Sequence, residues 1–325
     1  MSPAPQHVLS AEQDAYLRER SDIMGAWLVL HAWGVIALTM AMFVFWPNPL
    51  SFLVAVVIIG NRQLGLAILM HDAAHRALFK NTGLNDSLGA FLCGWPVGAS
   101  LHLYRPYHLS HHRHTQQKDD PDLILSAPFP ITKQSFWRKM RRDILGITGV
   151  QRRLEFFRQE MGNDPSTWQR WKNLFNAEKY FLLSNLAIFG VITAAGVWWA
   201  YFALWLLPLL TWYQVISRVR NIAEHAVVGD NDDRLRNTRT TRTHWFMRLV
   251  VAPYWVNYHL EHHLLVFTPC WKLPAAHRML VEQGMAPHME LANGYLEVLR
   301  KATAKIADGP GDADKEKSRK SPAMI

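Results

Sequence analysis

Three stretches of this 325-residue chain are almost free of charge, and each is long enough to cross a lipid bilayer. From Met24 to Trp46 there is no Asp, Glu, Lys or Arg; from Ser51 to Met70 the one charge is Arg62; from Tyr180 to Ile216 there is none. A helical crossing takes about 20 apolar residues. The first two runs therefore predict one crossing each, and the third, broken near Trp198–Ala203, predicts two. The expected crossings are about 24–46, 50–70, 180–199 and 202–219. A bilayer leaves no backbone polar group unpaired, which favours helices, so the expected class is all-α. Buried helices of a soluble protein are the weaker alternative, because charge-free runs this long are uncommon in them.

The charged residues set the orientation. The segment 76–179 carries sixteen Lys and Arg. By the positive-inside rule it faces the cytoplasm, and so do both termini. The tight turns Trp46-Pro47-Asn48-Pro49 and Trp198-Trp199-Ala200-Tyr201 then face the other side, with Trp and Tyr as interfacial anchors. This gives a cytosolic N-terminus at 1–23, a membrane domain with a cytosolic helical cap at 24–299, and a disordered polar tail at 300–325. The first apolar run is too long, and lacks a small-residue cleavage site, for a signal peptide. Two cysteines, Cys93 and Cys270, support neither a disulfide framework nor a thiolate metal site. The net charge of +9 suits anionic headgroups or an acidic protein partner. Nucleic acid is disfavoured, since the basic residues flank membrane spans.

Half of the sixteen histidines fall in three short clusters: His71-Asp72-Ala73-Ala74-His75, His108-Leu109-Ser110-His111-His112 and His259-Leu260-Glu261-His262-His263. Spacings of three and four put each set on one face of a helix. His71 and His75 follow the second crossing directly. A helix starting at Pro106 would present the second cluster, and the fourth crossing ends in Arg220-Asn221-Ile222-Ala223-Glu224-His225, where Asn221 and His225 are again four apart. Even numbers of crossings separate all these elements, so they can meet on one side. The segment Leu84–Leu101, interrupted by Gly89, Gly94, Pro96 and Gly98, reads as interfacial or re-entrant.

Imidazole suits Fe, Zn, Cu and Ni. Eight clustered histidines exceed what one four-coordinate ion needs, so two ions are expected. The His-Glu-x-x-His zinc signature is absent, and so is the Glu-x-x-His pattern of carboxylate-bridged di-iron bundles. A histidine-rich pair of redox metals, with iron the leading candidate, could activate O₂ and attack an unactivated C–H bond. Asp72, Glu224 and Glu261 adjoin candidate ligands and are candidates to orient imidazoles. A membrane zinc hydrolase and a non-catalytic lipid sensor remain the alternatives at this point.

The three clusters in order, with Asn257-Tyr258-His259-Leu260-Glu261-His262-His263, Arg113-His114-Thr115 and Asp119-Asp120-Pro121-Asp122, resemble the membrane fatty acid desaturase/hydroxylase superfamily over about residues 60–275. The first box, His-x-x-x-His, looks more like acyl-lipid and sphingolipid desaturases than acyl-CoA desaturases, and carotenoid ketolases share a His-Asp-Ala start. The resemblance implies two irons held by His71, His75, His108, His111, His112, His225, His259, His262 and His263, with Asn221 approaching a metal through water. It also implies O₂ as co-substrate, a lipid substrate and four crossings under a cap. The sequence lacks the His-Pro-Gly-Gly haem motif of cytochrome b5-fused members. Electrons are then expected from a separate ferredoxin or cytochrome b5-like donor. After the third box the sequence reads Leu264-Leu265-Val266-Phe267-Thr268-Pro269 rather than Leu-Phe-Pro. A hydroxylase or ketolase on the same scaffold is the runner-up activity.

Overall fold

The computed structural model describes residues 9–304. Helix α1 (Ala11–Arg18) is closed by a capping box between Ser10 and Gln13. Ser21 caps α2 (Asp22–Phe45), its hydroxyl accepting from Met24 N. The chain then reverses into α3 (Pro49–Ala74). Asn48 accepts from the N–H groups of Leu50 and Ser51, and Pro49 occupies the first turn, where its missing N–H costs nothing. Every residue of α3 from Ile59 to Met70 is buried. A helix apolar on all sides belongs at the centre of a bundle, and α3 is that centre. Helix α2 packs at Gly25 against the chain that follows α3, where a β-carbon would stand 2.3 Å from the Leu78 carbonyl oxygen.

After α3 come α4 (Thr82–Leu88), a π-turn at Gly89–Gly94 and a 3₁₀ turn at Trp95–Val97. This is the broken segment expected between the first two clusters. Helix α5 (Leu101–His114) carries the second cluster and corrects one expectation, because it begins a turn before Pro106 and contains that proline. Proline cannot donate to the carbonyl four residues back, and that residue, His102, is exposed, so water can satisfy it. Helices α6 (Leu123–Ser126), α7 (Lys133–Ile144) and α8 (Ile147–Met161) form an outer layer, and α9 (Thr167–Ala194) runs back towards the membrane turn. A π-turn at Tyr201–Leu206 and α10 (Leu207–Leu210) lead into α11 (Trp212–His225). The remaining helices are α12 (Trp245–Val250), α13 (His259–Leu264), α14 (Leu273–Glu282) and α15 (Tyr295–Ala302). The class is helical with one exception, a parallel pair of two-residue strands, Thr240–Thr241 with Leu291–Ala292.

Three helical runs among the described residues are long and apolar enough to cross a membrane: Asp22–Phe45, Pro49–Ala74 and Tyr201–His225. The first, second and fourth expected crossings fall in them. The helix carrying the third, expected at 180–199, ends five residues early. Helix α9 stops at Ala194 and the chain turns at Gly196, with φ +80°, so the uncharged part of the helix is about 22 Å long. The polar tail also begins later than expected. Arg300, Lys301 and Ala302 form the last turn of α15, held because Val298 and Ala302 are fully buried. Residues 305–325, most of that tail, lie outside the described residues, as do the first eight of the N-terminal segment.

Candidate metal centre

Four helix ends deliver nine histidines to one place. His71 lies in the last turn of α3 and His75 caps it; His108, His111 and His112 line α5; His225 ends α11; His259, His262 and His263 come from α13. They divide into two groups. His71, His75, His108, His112 and His262 make one; His111, His225, His259 and His263 make the other. Within each group the candidate ligand atoms lie within 4.8 Å of one another. The division follows helical geometry. Residues four apart are displaced by about 40° around the axis and residues three apart by about 60° the other way. Accordingly His71/His75 and His108/His112 serve the first group and His259/His263 the second, while His111 and His262 each cross to the other group. The expectation of one shared face per cluster is refined by this finding: each His-x-x-His-His triplet faces both groups.

The donor set fits metal ions. His108 Nε2 and His112 Nε2 are 2.9 Å apart, His112 Nε2 and His262 Nε2 are 2.9 Å apart, and His225 Nε2 and His259 Nε2 are 2.8 Å apart. Ligands at right angles on one ion, with bonds of about 2.1 Å, stand about 3.0 Å apart, whereas tetrahedral ones stand about 3.4 Å apart. Five imidazoles also exceed the four positions of a tetrahedral site. Both nitrogens of His75, Nδ1 of His112 and of His225, and Nε2 of His263 are buried without a hydrogen-bond partner. Burial first, and the neighbouring imidazoles second, push the pKa values of His75, His108, His112, His259, His262 and His263 well below the usual imidazole value. Those rings are neutral at pH 7 and offer a lone pair.

The far sides of several rings are held by neighbours that give them one orientation. His111 Nδ1 donates to Asp120 Oδ1 at 2.7 Å, and Asp120 is itself fixed by the N–H groups of Gln116 and Asp122. His263 Nδ1 stands 3.2 Å from Thr115 Oγ1, and His108 Nδ1 stands 3.2 Å from Tyr104 Oη. These leave Nε2 free to face a metal, the usual arrangement for metal-bound imidazole. The three carboxylates named from the sequence behave differently. Asp72 Oδ1 is 3.8 Å from His71 Nδ1, but the hydrogen bond this residue makes is from the Cys270 N–H, at 2.8 Å. Glu224 Oε2 is 3.6 Å from His259 Nδ1, and neither of its oxygens has a hydrogen-bond partner. Glu261 touches no ligand histidine. Its oxygens accept from His277 Nδ1 at 2.6 Å and from the Thr240 hydroxyl, tying α13 to α14 and to the short strand pair.

Asn221 belongs to neither histidine group. It lines a cavity of about 40 Å³, closed also by Tyr104, Asp122, Arg220 and Glu224, which touches ligands of both. One water occupies about 30 Å³ in the liquid, so the cavity admits a water. Sequence reasoning missed Asp120 and Thr115 as partners of ligand rings, although both lie in motifs already noted, and it missed His277. Other histidines lie apart, His102, His244 and His31 among them. His102 and His244 are exposed, and His31 meets Tyr254 Oη at 3.0 Å between the helices.

The fatty acid desaturase family profile matches residues 46–290. Among curated relatives, the dihydrorhizobitoxine desaturase of Bradyrhizobium elkanii is 27% identical, over 80% of this chain and 76% of its own length. A beta-carotene ketolase of Paracoccus sp. is 23% identical, over 78% of this chain and 88% of its own length. The sn-1 oleoyl-lipid 12-desaturase of Anabaena variabilis is 22% identical, over 70% and 68% respectively. The matched segment contains every one of the nine converging histidines, and the chain belongs to the fatty acid desaturase family.

Proposed function

We propose that this chain is a membrane-embedded, O₂-dependent di-iron desaturase that introduces a C=C bond into a lipid acyl chain. The carrying observation is the division of nine histidines, seven of them buried, into adjoining groups of five and four. In this reading each group holds one iron, and Asn221 approaches the second group through a water in the shared cavity. When bound, iron supplies reductive activation of O₂ and oxidation of an unactivated C–H bond. Loss of two hydrogens from the chain provides two electrons and two protons, an external ferredoxin or cytochrome b5-like donor provides two more electrons, solvent provides two more protons, and O₂ leaves as two waters.

The residues of the chain supply positioning and dryness. Asp120, Thr115 and Tyr104 hold the rings of His111, His263 and His108 in single orientations. The end of α3 and the π-turn at Gly89–Gly94 packed against it lie beside the site, and burial of most of the rings keeps bulk water away, which strengthens every electrostatic contact there. The membrane reading is four crossings with the termini and the histidine clusters cytoplasmic. The match to beta-carotene ketolases over 88% of their length favours oxygen insertion as the second reading.

Lipid mass spectrometry of a host producing the chain with an electron donor, beside a His262→Ala control, tests both. Loss of two mass units of hydrogen from an acyl species, absent in the control, supports desaturation. A gain of oxygen supports the second reading. Purified folded protein without iron, and without either product, would sink both.

A further inference from the structure

We infer that helix α12, Trp245–Val250, is immersed in the acyl chains of the leaflet on the histidine side rather than lying in water. This rests on reading α2, α3 and the Tyr201–His225 run as crossings. From sequence, the segment belongs to the polar region after the last crossing, and it is far too short to span.

Two side chains from two different crossings grip its backbone, and each gives a depth. Arg62 of α3 donates Nη2 to the Arg248 carbonyl at 3.2 Å, and Trp212 of α11 donates Nε1 to the Val250 carbonyl at 3.3 Å. Along α3, Arg62 lies about 18 Å from the histidine-bearing end at Ala74. Along α11, Trp212 lies about 20 Å from His225. The two helices thus place α12 at the same level. A hydrocarbon core of about 30 Å, measured from the Pro49 end of α3, reaches to about residue 69, so that level is about 10 Å inside it. The chain then climbs. Gly65, one turn nearer the histidines, lies against Pro253 and the Tyr254 ring, and the next helix begins at the ligand His259.

The outer face of α12 matches such surroundings. Trp245 is 75% exposed, Phe246 49% and Leu249 37%. On a helix these three fall within an arc of about 100°. Arg248, the one charge, is half-buried instead of joining that face. Two carbonyls of the last turn of α12, those of Arg248 and Val250, take their donors from the crossings, so neither is left bare to the lipid. The occupant of this face is the acyl layer itself.

The test uses the full chain, one copy per nanodisc, in phosphatidylcholine with phosphatidylglycerol. Phe246→Cys and Trp245→Cys are each challenged with a charged, water-soluble maleimide. Native Cys93 and Cys270 are buried and supply the background and a check that each variant is folded. Leu53→Cys, on the exposed face of α3, reports the bilayer, and Glu282→Cys, at the end of α14, reports water. Both α12 positions should label at least tenfold more slowly than Glu282→Cys and about as slowly as Leu53→Cys. Labelling at the Glu282→Cys rate while Leu53→Cys stays protected would overturn the inference and leave the crossings intact. Fast labelling at Leu53→Cys as well would overturn the crossings and this inference together. Protection only in discs holding two copies would assign the face to a second copy instead. None of these readouts depends on the proposed activity.

Discussion

Asp120 shows how one carboxylate outside the histidine clusters governs a ligand inside them. It accepts from His111 Nδ1 and is anchored by two backbone N–H groups. Replacement by alanine frees the His111 ring to turn, and metal affinity should fall about 10- to 100-fold, as for other partners of metal-bound imidazole. Chelator competition measures it, and unchanged affinity would show that packing alone holds the ring. Changing His262 to Ala removes one of five ligands from the first group, and product formation should cease while the chain still folds. The residue scale is also where sequence reading was most uneven. The convergence of the nine histidines was legible because candidate ligands recur at helical spacing. His277 was not, since its partner Glu261 lies on another helix and a lone histidine carries no signal. Glu261 misled for a related reason: a residue next to a ligand in sequence points away from it on a helix.

At the scale of elements, the end of α3 matters most, because it carries the first cluster. Arg105 of α5 donates Nε to the Ala74 carbonyl and Nη2 to the Ala73 carbonyl, both at 2.9 Å, and also pairs with Asp86. The Ala73 carbonyl also accepts from the Arg76 N–H and from Asn85 Nδ2, so the Ala74 carbonyl and Asp86 are the partners that depend on Arg105. Arg105→Gln should cost about 1–3 kcal/mol, the usual penalty for leaving buried partners unmet. Thermal unfolding of the metal-free protein in detergent would reveal it. Gly89 abuts the same end: a β-carbon there would stand 2.4 Å from the Ala73 β-carbon. Gly89→Val should therefore destabilise by about 1–3 kcal/mol through overpacking. An unshifted midpoint for either variant would contradict the packing described. The long apolar helices were legible as elements because length and lack of charge are local properties. The start of α5 and the depth of α12 were not. A proline reads as a helix start rather than as an interior residue, and a six-residue apolar run containing arginine carries no depth signal, which comes only from contacts with α3 and α11.

For the whole molecule, the buried imidazoles tie stability to pH. His75, His108, His112, His259, His262 and His263 have folded-state pKa values well below the ordinary value, because burial disfavours the charged ring. Below about pH 6.5 the unfolded chain binds more protons than the folded one. Stability therefore falls as pH falls, by up to about 1.4 kcal/mol per pH unit for each such ring, and is fully present above that range. Metal binding shares the sign, since protons compete for the same lone pairs. Unfolding midpoints of metal-free protein between pH 8 and 5 should drop steeply on the acid side; a flat profile would mean the rings are not buried neutral.

The crossed triplets have a further consequence. Helices α5 and α13 each send ligands to both groups, so neither helix can settle its geometry around one ion without also setting the other site. Occupancy of one site then pre-organises the second, and titration should be sigmoidal, passing from empty to doubly loaded chains with few holding a single ion. In the proposed di-iron desaturase, a half-loaded chain, able to begin O₂ reduction without completing it, would thereby be kept scarce by the register of two helices.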